Sequence, residues 1–146
     1  MDINAALNEV FVKVFKNITA IEEQVIRTEE YQKATANDMH VIEAIGVGKP
    51  KNMTSVAKAL SVTTGTLTIS VNSLVKKGFV ERVRSEEDRR VVLISLTEKG
   101  KQIYRKHQRF HEELVESIVK QLDDEEKVLL QKVLSNLNHY FKEMQK

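Results

Sequence analysis

The sequence predicts a mainly α-helical fold interrupted once by a two-stranded β element. Three observations carry this. Breakers are rare, with one proline (Pro50) and five glycines in 146 residues, which favours long helices. Apolar residues recur at three- and four-residue spacing through most of the chain, the period of an amphipathic helix. One stretch, Phe79 to Leu96, switches to β-rich runs around a polar tip. Hydrophobic residues make up 41% and charged residues 30%, the balance of a folded single domain over 1–146.

Taken in order, the first helix is expected over about residues 2 to 30, with Leu7, Val10, Val14, Ile18, Ile21 and Val25 on one face and Phe11 and Phe15 widening it. Thr35-Ala36-Asn37-Asp38 has the form of a capping box and opens a second helix that ends near Gly46 or Gly48. Val47 to Asn52 reads as a turn. A short helix follows from about Thr54 to Leu60, then the tight connection Ser61-Val62-Thr63, then a longer helix from about Thr64 to Lys77 with Gly78 placed to end it. Phe79–Arg84 and Val91–Leu96 form a hairpin around Ser85-Glu86-Glu87-Asp88-Arg89-Arg90. Thr97 caps a long helix whose stripe is Ile103, His107, Phe110, His111, Leu114 and Ile118. Asp123-Asp124-Glu125-Glu126 supplies acid to the start of a last helix, as the helix dipole prefers. That helix carries Leu130, Val133, Leu137, Phe141 and Met144 on one side.

Composition excludes several classes. Cysteine is absent, which removes disulfides and cysteine metal sites and suits a reducing cytoplasm. The start Met1-Asp2-Ile3-Asn4 lacks the basic and apolar regions of a signal peptide, and no apolar run is long enough to cross a membrane. The expected location is cytoplasmic. There is no Gly-rich phosphate loop, cysteine nucleophile or recognisable catalytic pair, so an enzyme is not expected. The net charge of +2 does not single out a partner; its distribution does.

Thr54 to Gly78 has the layout of a helix-turn-helix. Val56, Ala57 and Leu60 give the first helix an inner face, and small Ala57 lets the second helix cross closely. Leu67, Val71 and Leu74 anchor that second helix. Its other side carries Thr64, Gly65, Thr66, Thr68, Ile69, Asn72 and Lys76. Threonines lower helix propensity, so a purely solvated face is a poor account of them. A major groove suits them better: hydroxyls bond phosphates or base edges, Asn72 pairs with adenine, and Ile69 meets a thymine methyl. Gly65 lets a phosphate approach the backbone at the helix N-terminus.

The hairpin carries Arg82, Arg84, Arg89 and Arg90, flanked by Lys76, Lys77, Lys99 and Lys101. A two-stranded wing tipped with arginine fits a minor groove. Glu86, Glu87 and Asp88 share the tip; they either cancel the field or, in the case of Asp88, pair with an arginine and aim it. Helix-turn-helix plus wing makes the predicted fold a winged helix-turn-helix.

Asp88-Arg89-Arg90 followed by Leu96-Thr97-Glu98-Lys99-Gly100 resembles the wing signature of the MarR family, D-x-R then L-T-x-x-G, and the likeness in helix order and length extends over the whole chain. The family usually has a polar residue where Gly65 stands, although some members share Thr-Gly-Thr here. The resemblance implies a MarR-like dimeric repressor that binds pseudo-palindromic double-stranded operators, recognition helices in successive major grooves and wings in minor grooves. Arg90 would then be the minor-groove arginine and Asp88 its orienting partner. Residues 35–101 would form the DNA-reading lobe, with 1–34 and 102–146 as dimerisation helices. A homodimer also follows from the broad apolar faces at both chain ends, which one lobe cannot cover; the alternative is that they pack within one subunit.

Val62-Thr63-Thr64-Gly65-Thr66, Glu81 to Glu86, Asp88 to Val92 and Arg105 to His111 resemble the branch of that family that represses fatty-acid synthesis in Gram-positive bacteria. This implies a long-chain acyl-acyl carrier protein as co-repressor and no required cofactor. Such carriers are acidic, so Arg105, Lys106 and Arg109 are candidate docking charges. Histidines leave three readings open. His107 and His111, four apart on one helix face, with His40 and Glu22, match the zinc-sensing branch of the family. Alternatively His40, His107 and His111 border an effector pocket, or the helix pair is hydrogen-bonded core. A regulator of another small molecule, or a winged helix that binds protein instead of DNA, are further alternatives.

Overall fold

Most helices in this chain begin where a side chain can take up free backbone amides. A computed structural model describes residues 1–26 and 34–146. Asp2 caps α1 (Ile3–Glu9), accepting from the Ala5 amide at 2.8 Å. A π-helical turn, Val10–Val14, joins it to α2 (Phe15–Ile26). The expected unbroken helix is therefore interrupted, at a run with three valines in five residues, whose branched side chains crowd an α-turn. The last part of that expectation, 27 to 30, lies outside the described residues.

The Thr35–Asp38 capping box forms in both directions, at 3.1 and 3.0 Å, and starts α3 (Ala36–Ile45). Gly46 ends it with a positive φ of 70°. The expected turn at Val47 to Asn52 contains a short strand, β1 (Lys51–Asn52). Asn52 then caps α4 (Met53–Ala59), accepting from Ser55 N at 2.7 Å. After the connection come α5 (Thr64–Lys77), β2 (Val80–Arg84) and β3 (Val92–Leu96). The sheet has three strands in the order β1-β3-β2, all antiparallel. The expected hairpin is thus correct but incomplete. Two residues show no alternation to read; β1 exists because the other edge of β3 accepts it.

The core gathers Ile42, Ile45, Val56, Leu67, Val71, Leu74, Ile94 and Ile103, each at most 1% exposed. Both helices of the helix-turn-helix present their expected inner faces to it, Ala57 included. Two compact units result, Met1–Phe110 and His111–Lys146. The long helix α6 (Glu98–Val119) runs from the first into the second. In the second unit, Asp123 and Glu126 form a reciprocal capping box (2.8 and 2.9 Å) that starts α7 (Asp124–Met144). Among the described residues, no helix is long and apolar enough to cross a membrane.

Candidate nucleic-acid interface

The turn before α5 is built from its own polar groups. Ser61 takes a left-handed conformation (φ 56°), and Thr63 caps the helix, its hydroxyl accepting from Thr66 N at 3.1 Å. The Thr63 and Thr66 hydroxyls lie 3.0 Å apart in a second bond, and Thr68 Oγ1 donates to Thr64 O at 2.8 Å. The threonine hydroxyls are thus engaged locally, at the cap and back to the preceding turn. Gly78, left-handed at φ 84°, ends α5 as expected.

With Leu67, Val71 and Leu74 buried, the opposite face of α5 is fully presented. Thr64, Gly65, Thr66, Thr68, Asn72 and Lys76 are all exposed, and Ile69 is 73% exposed. A Cβ added at Gly65 would meet only Thr63 Oγ1, at 3.8 Å. Packing therefore does not require glycine there.

Two basic residues depart from the expected cluster. Lys77 folds inward to Asp38 at 2.6 Å, both side chains being largely buried. This pair ties the last turn of α5 to the first turn of α3, and it removes Lys77 from the basic surface. Arg82 sits opposite Ile94 in the strand register, on the sheet face shared with Val80 and Leu96 (paired two residues along), and its Nη2 donates to Asn72 Oδ1. It belongs to the recognition helix as much as to the wing.

The wing tip is held from within. Arg84 Nη1 donates to Arg89 O at 3.0 Å, and Ser85 N and Val91 N donate across the loop to Val91 O and Asp88 O at 3.0 and 2.9 Å. Arg90 Nε and Nη2 each donate to Asp88 at 3.1 Å, a bidentate pair, and its backbone N–H adds a third bond of the same length. These bonds from the Arg90 side chain and backbone hold the Asp88 carboxyl below the usual carboxylate range. Arg90 is nonetheless 91% exposed along its side chain: oriented, not sequestered. Arg84 and Arg89 are exposed beside it.

The wing's base explains the Leu-Thr-x-x-Gly signature. Thr97 Oγ1 donates to Gly78 O at 2.6 Å and accepts from Gly100 N at 3.2 Å, while Thr97 N donates to Phe79 O at 3.1 Å. A Cβ on Gly100 would lie 2.0 Å from Phe79 O, so only glycine lets α6 start against the end of α5.

The histidine set is only partly brought together. Buried His107 faces Glu43 Oε2 through Nδ1 at 2.5 Å and Glu22 Oε1 through Nε2 at 3.5 Å. Glu43 was not foreseen; nothing in its spacing marked it. His40 is exposed and instead borders a groove of about 360 Å³ with Asn37, Leu60, Val62, Thr66 and Ser70. His111 lies one helical turn beyond His107 and belongs to the second unit. Arg105 and Arg109 are exposed and Lys106 is half-buried.

Residues 26–107 match the family model described as Transcriptional regulator SarA/Rot. The chain is 31% identical over 111 residues to the HTH-type transcriptional regulator YpoP of Bacillus subtilis, spanning 76% of this chain and 74% of that one. It belongs to the SarA/Rot transcriptional regulators and is a winged-helix, MarR-like regulator, not an enzyme. Among solved structures it is similar to FabT of Streptococcus pneumoniae in complex with DNA, with 40% identity, a TM-score of 0.86, and coverage of 97% of this chain and 99% of that one. The S. aureus MepR–DNA complex shares the fold at 20% identity and a TM-score of 0.68, covering 92% and 97%.

Proposed function

We propose that the protein is a sequence-specific repressor that binds pseudo-palindromic DNA as a homodimer and controls fatty-acid synthesis genes, with a long-chain acyl-acyl carrier protein as co-repressor. One observation carries the reading: a single lobe presents the bare threonine-rich face of α5 beside an arginine oriented by Asp88, in a chain 40% identical to FabT over nearly its whole length. Thr64, Gly65, Thr66, Thr68, Asn72 and Lys76 supply the major-groove face; Arg84, Arg89 and Arg90 supply the minor-groove wing. Such a regulator works where the DNA is, in the bacterial cytoplasm. Arg105, Lys106 and Arg109 offer a positive edge to an acidic carrier.

The test is binding to DNA upstream of fatty-acid synthesis genes, with and without a long-chain acyl-acyl carrier protein. Tighter binding with the acylated carrier is expected, and Arg105→Ala with Arg109→Ala should reduce that enhancement. Binding that ignores the carrier would remove the co-repressor and keep the regulator. A zinc-controlled regulator is the second reading, favoured by the meeting of Glu22 with His107; of the four expected donors, His40 faces a different groove. Equilibrium dialysis that recovers less than about one zinc per dimer at low-micromolar free metal would exclude it.

A further inference from the structure

The bond between Arg82 and Asn72 has a consequence for which base the recognition helix selects. A side-chain amide has one acceptor end and one donor end, and adenine is read when both ends are used together. Arginine has donors only. Whatever the neighbouring groups, the end of Asn72 that faces the guanidinium must be its oxygen. The NH₂ end is then the one left for a groove. Both residues are exposed, Asn72 stands on the outward face of α5, and Arg82 reaches it from the core-facing side of β2, where Val80 and Leu96 fix the register.

Resting on the DNA-binding reading above, we propose that Arg82 is a specificity-determining residue: by holding Asn72 Oδ1 toward its guanidinium it turns the NH₂ end of the amide to the groove, so that Asn72 favours a keto base over an amino base. Guanine offers O6 and N7 and thymine offers O4, all acceptors. Cytosine presents only its amino group in the major groove, and adenine sets its N6 amino group beside the N7 acceptor, so each is a poorer partner for the outward NH₂ than guanine or thymine. Under this proposal Asn72 prefers a keto base where the sequence alone suggested adenine. Arg82 contacts no base in this account; it acts through Asn72.

The experiment is selection of bound duplexes from a randomised library by the full-length protein, comparing wild type with Asn72→Ala, Arg82→Ala and Arg82→Lys. Asn72→Ala identifies the position, as the one in each half-site whose discrimination collapses. There the wild type should prefer guanine or thymine on the contacted strand on the order of tenfold, as one good base contact allows. Arg82→Ala frees the oxygen, and the preference should move to adenine. Arg82→Lys keeps a donor and should restore the keto preference in part. A wild type that already selects adenine at that position overturns the proposal. So does an Arg82→Ala variant that loses affinity evenly across sequences and lowers the salt slope, since that marks Arg82 as a phosphate contact. Enrichment of no duplex by the wild type would overturn the DNA-binding reading itself. Thermal melts of the variants, expected to match the wild type at these exposed positions, separate folding from recognition.

Discussion

The lobe from α3 to the start of α6 and the helices at the chain ends solve opposite problems. The lobe buries its apolar side chains almost completely, down to 0% exposure at Val71, Leu74, Ile94 and Ile103. Neither α1 nor α7 has a buried residue. Leu7, Phe11 and Phe15 at one end, and Leu129, Leu134 and Phe141 at the other, stand 41–62% exposed. Isolated exposed apolar residues need no explanation, but faces of this breadth mark an interaction surface. The lobe is a finished unit that displays polar groups; the end helices are unfinished and display apolar ones. Under the proposed dimer, a second copy finishes them.

The largest effect should come from spoiling the unfinished side. Leu134→Asp places a carboxylate in the proposed interface, and isologous symmetry would place it there twice. The cost is about 3–5 kcal/mol for each unpaired buried charge. Sedimentation should show monomers, and operator binding should vanish with them. An intact dimer would put the interface elsewhere. Next is a change inside the finished side: Gly100→Ala forces a methyl group onto the Phe79 carbonyl and should cost about 3 kcal/mol in unfolding free energy, at the upper end of overpacking costs. A thermal melt at the wild-type midpoint would show that α6 can simply shift.

Arg90→Ala comes third. It should weaken operator binding by about 1–3 kcal/mol with an unchanged melt, because the side chain projects away from the core. Wild-type affinity in that variant would remove the wing from the interface. The smallest effect concerns pH. Because Asp88 is held below its usual range by Arg90, its contribution is complete above the unfolded value of about 3.9 and fades only as pH falls through the lowered folded value. The affinity ratio of wild type to Asp88→Asn should therefore stay constant between about pH 5.5 and 8. A ratio that drifts in that window would mean that another group aims Arg90.

The same contrast explains what could be read in advance. The helix-turn-helix core was legible because Leu67, Val71 and Leu74 obey one local period, and the capping box at Thr35 because both partners lie three residues apart; at Asp123 only the acidic helix start was read, and the box itself came with the structure. The Asp88–Arg90 pair, two residues apart, was foreseen through the D-x-R wing signature. What escaped depends on residues far apart in sequence. Lys77 looked like wing charge until Asp38, 39 positions away, claimed it. Glu43 meets His107 across 64 positions. Asn72 accepts from Arg82, ten positions away on the next strand. Likewise β1 is too short to announce itself and is defined by Leu93 and Ile94 opposite.

The central claim, that paired lobes read DNA through α5 and the wing, is tested most directly by methylation interference on a bound operator. Modified guanine N7 should block binding in two major-groove patches about one helical turn apart, and modified adenine N3 should block it in the flanking minor grooves. Interference in a single patch, or in none, would contradict the account.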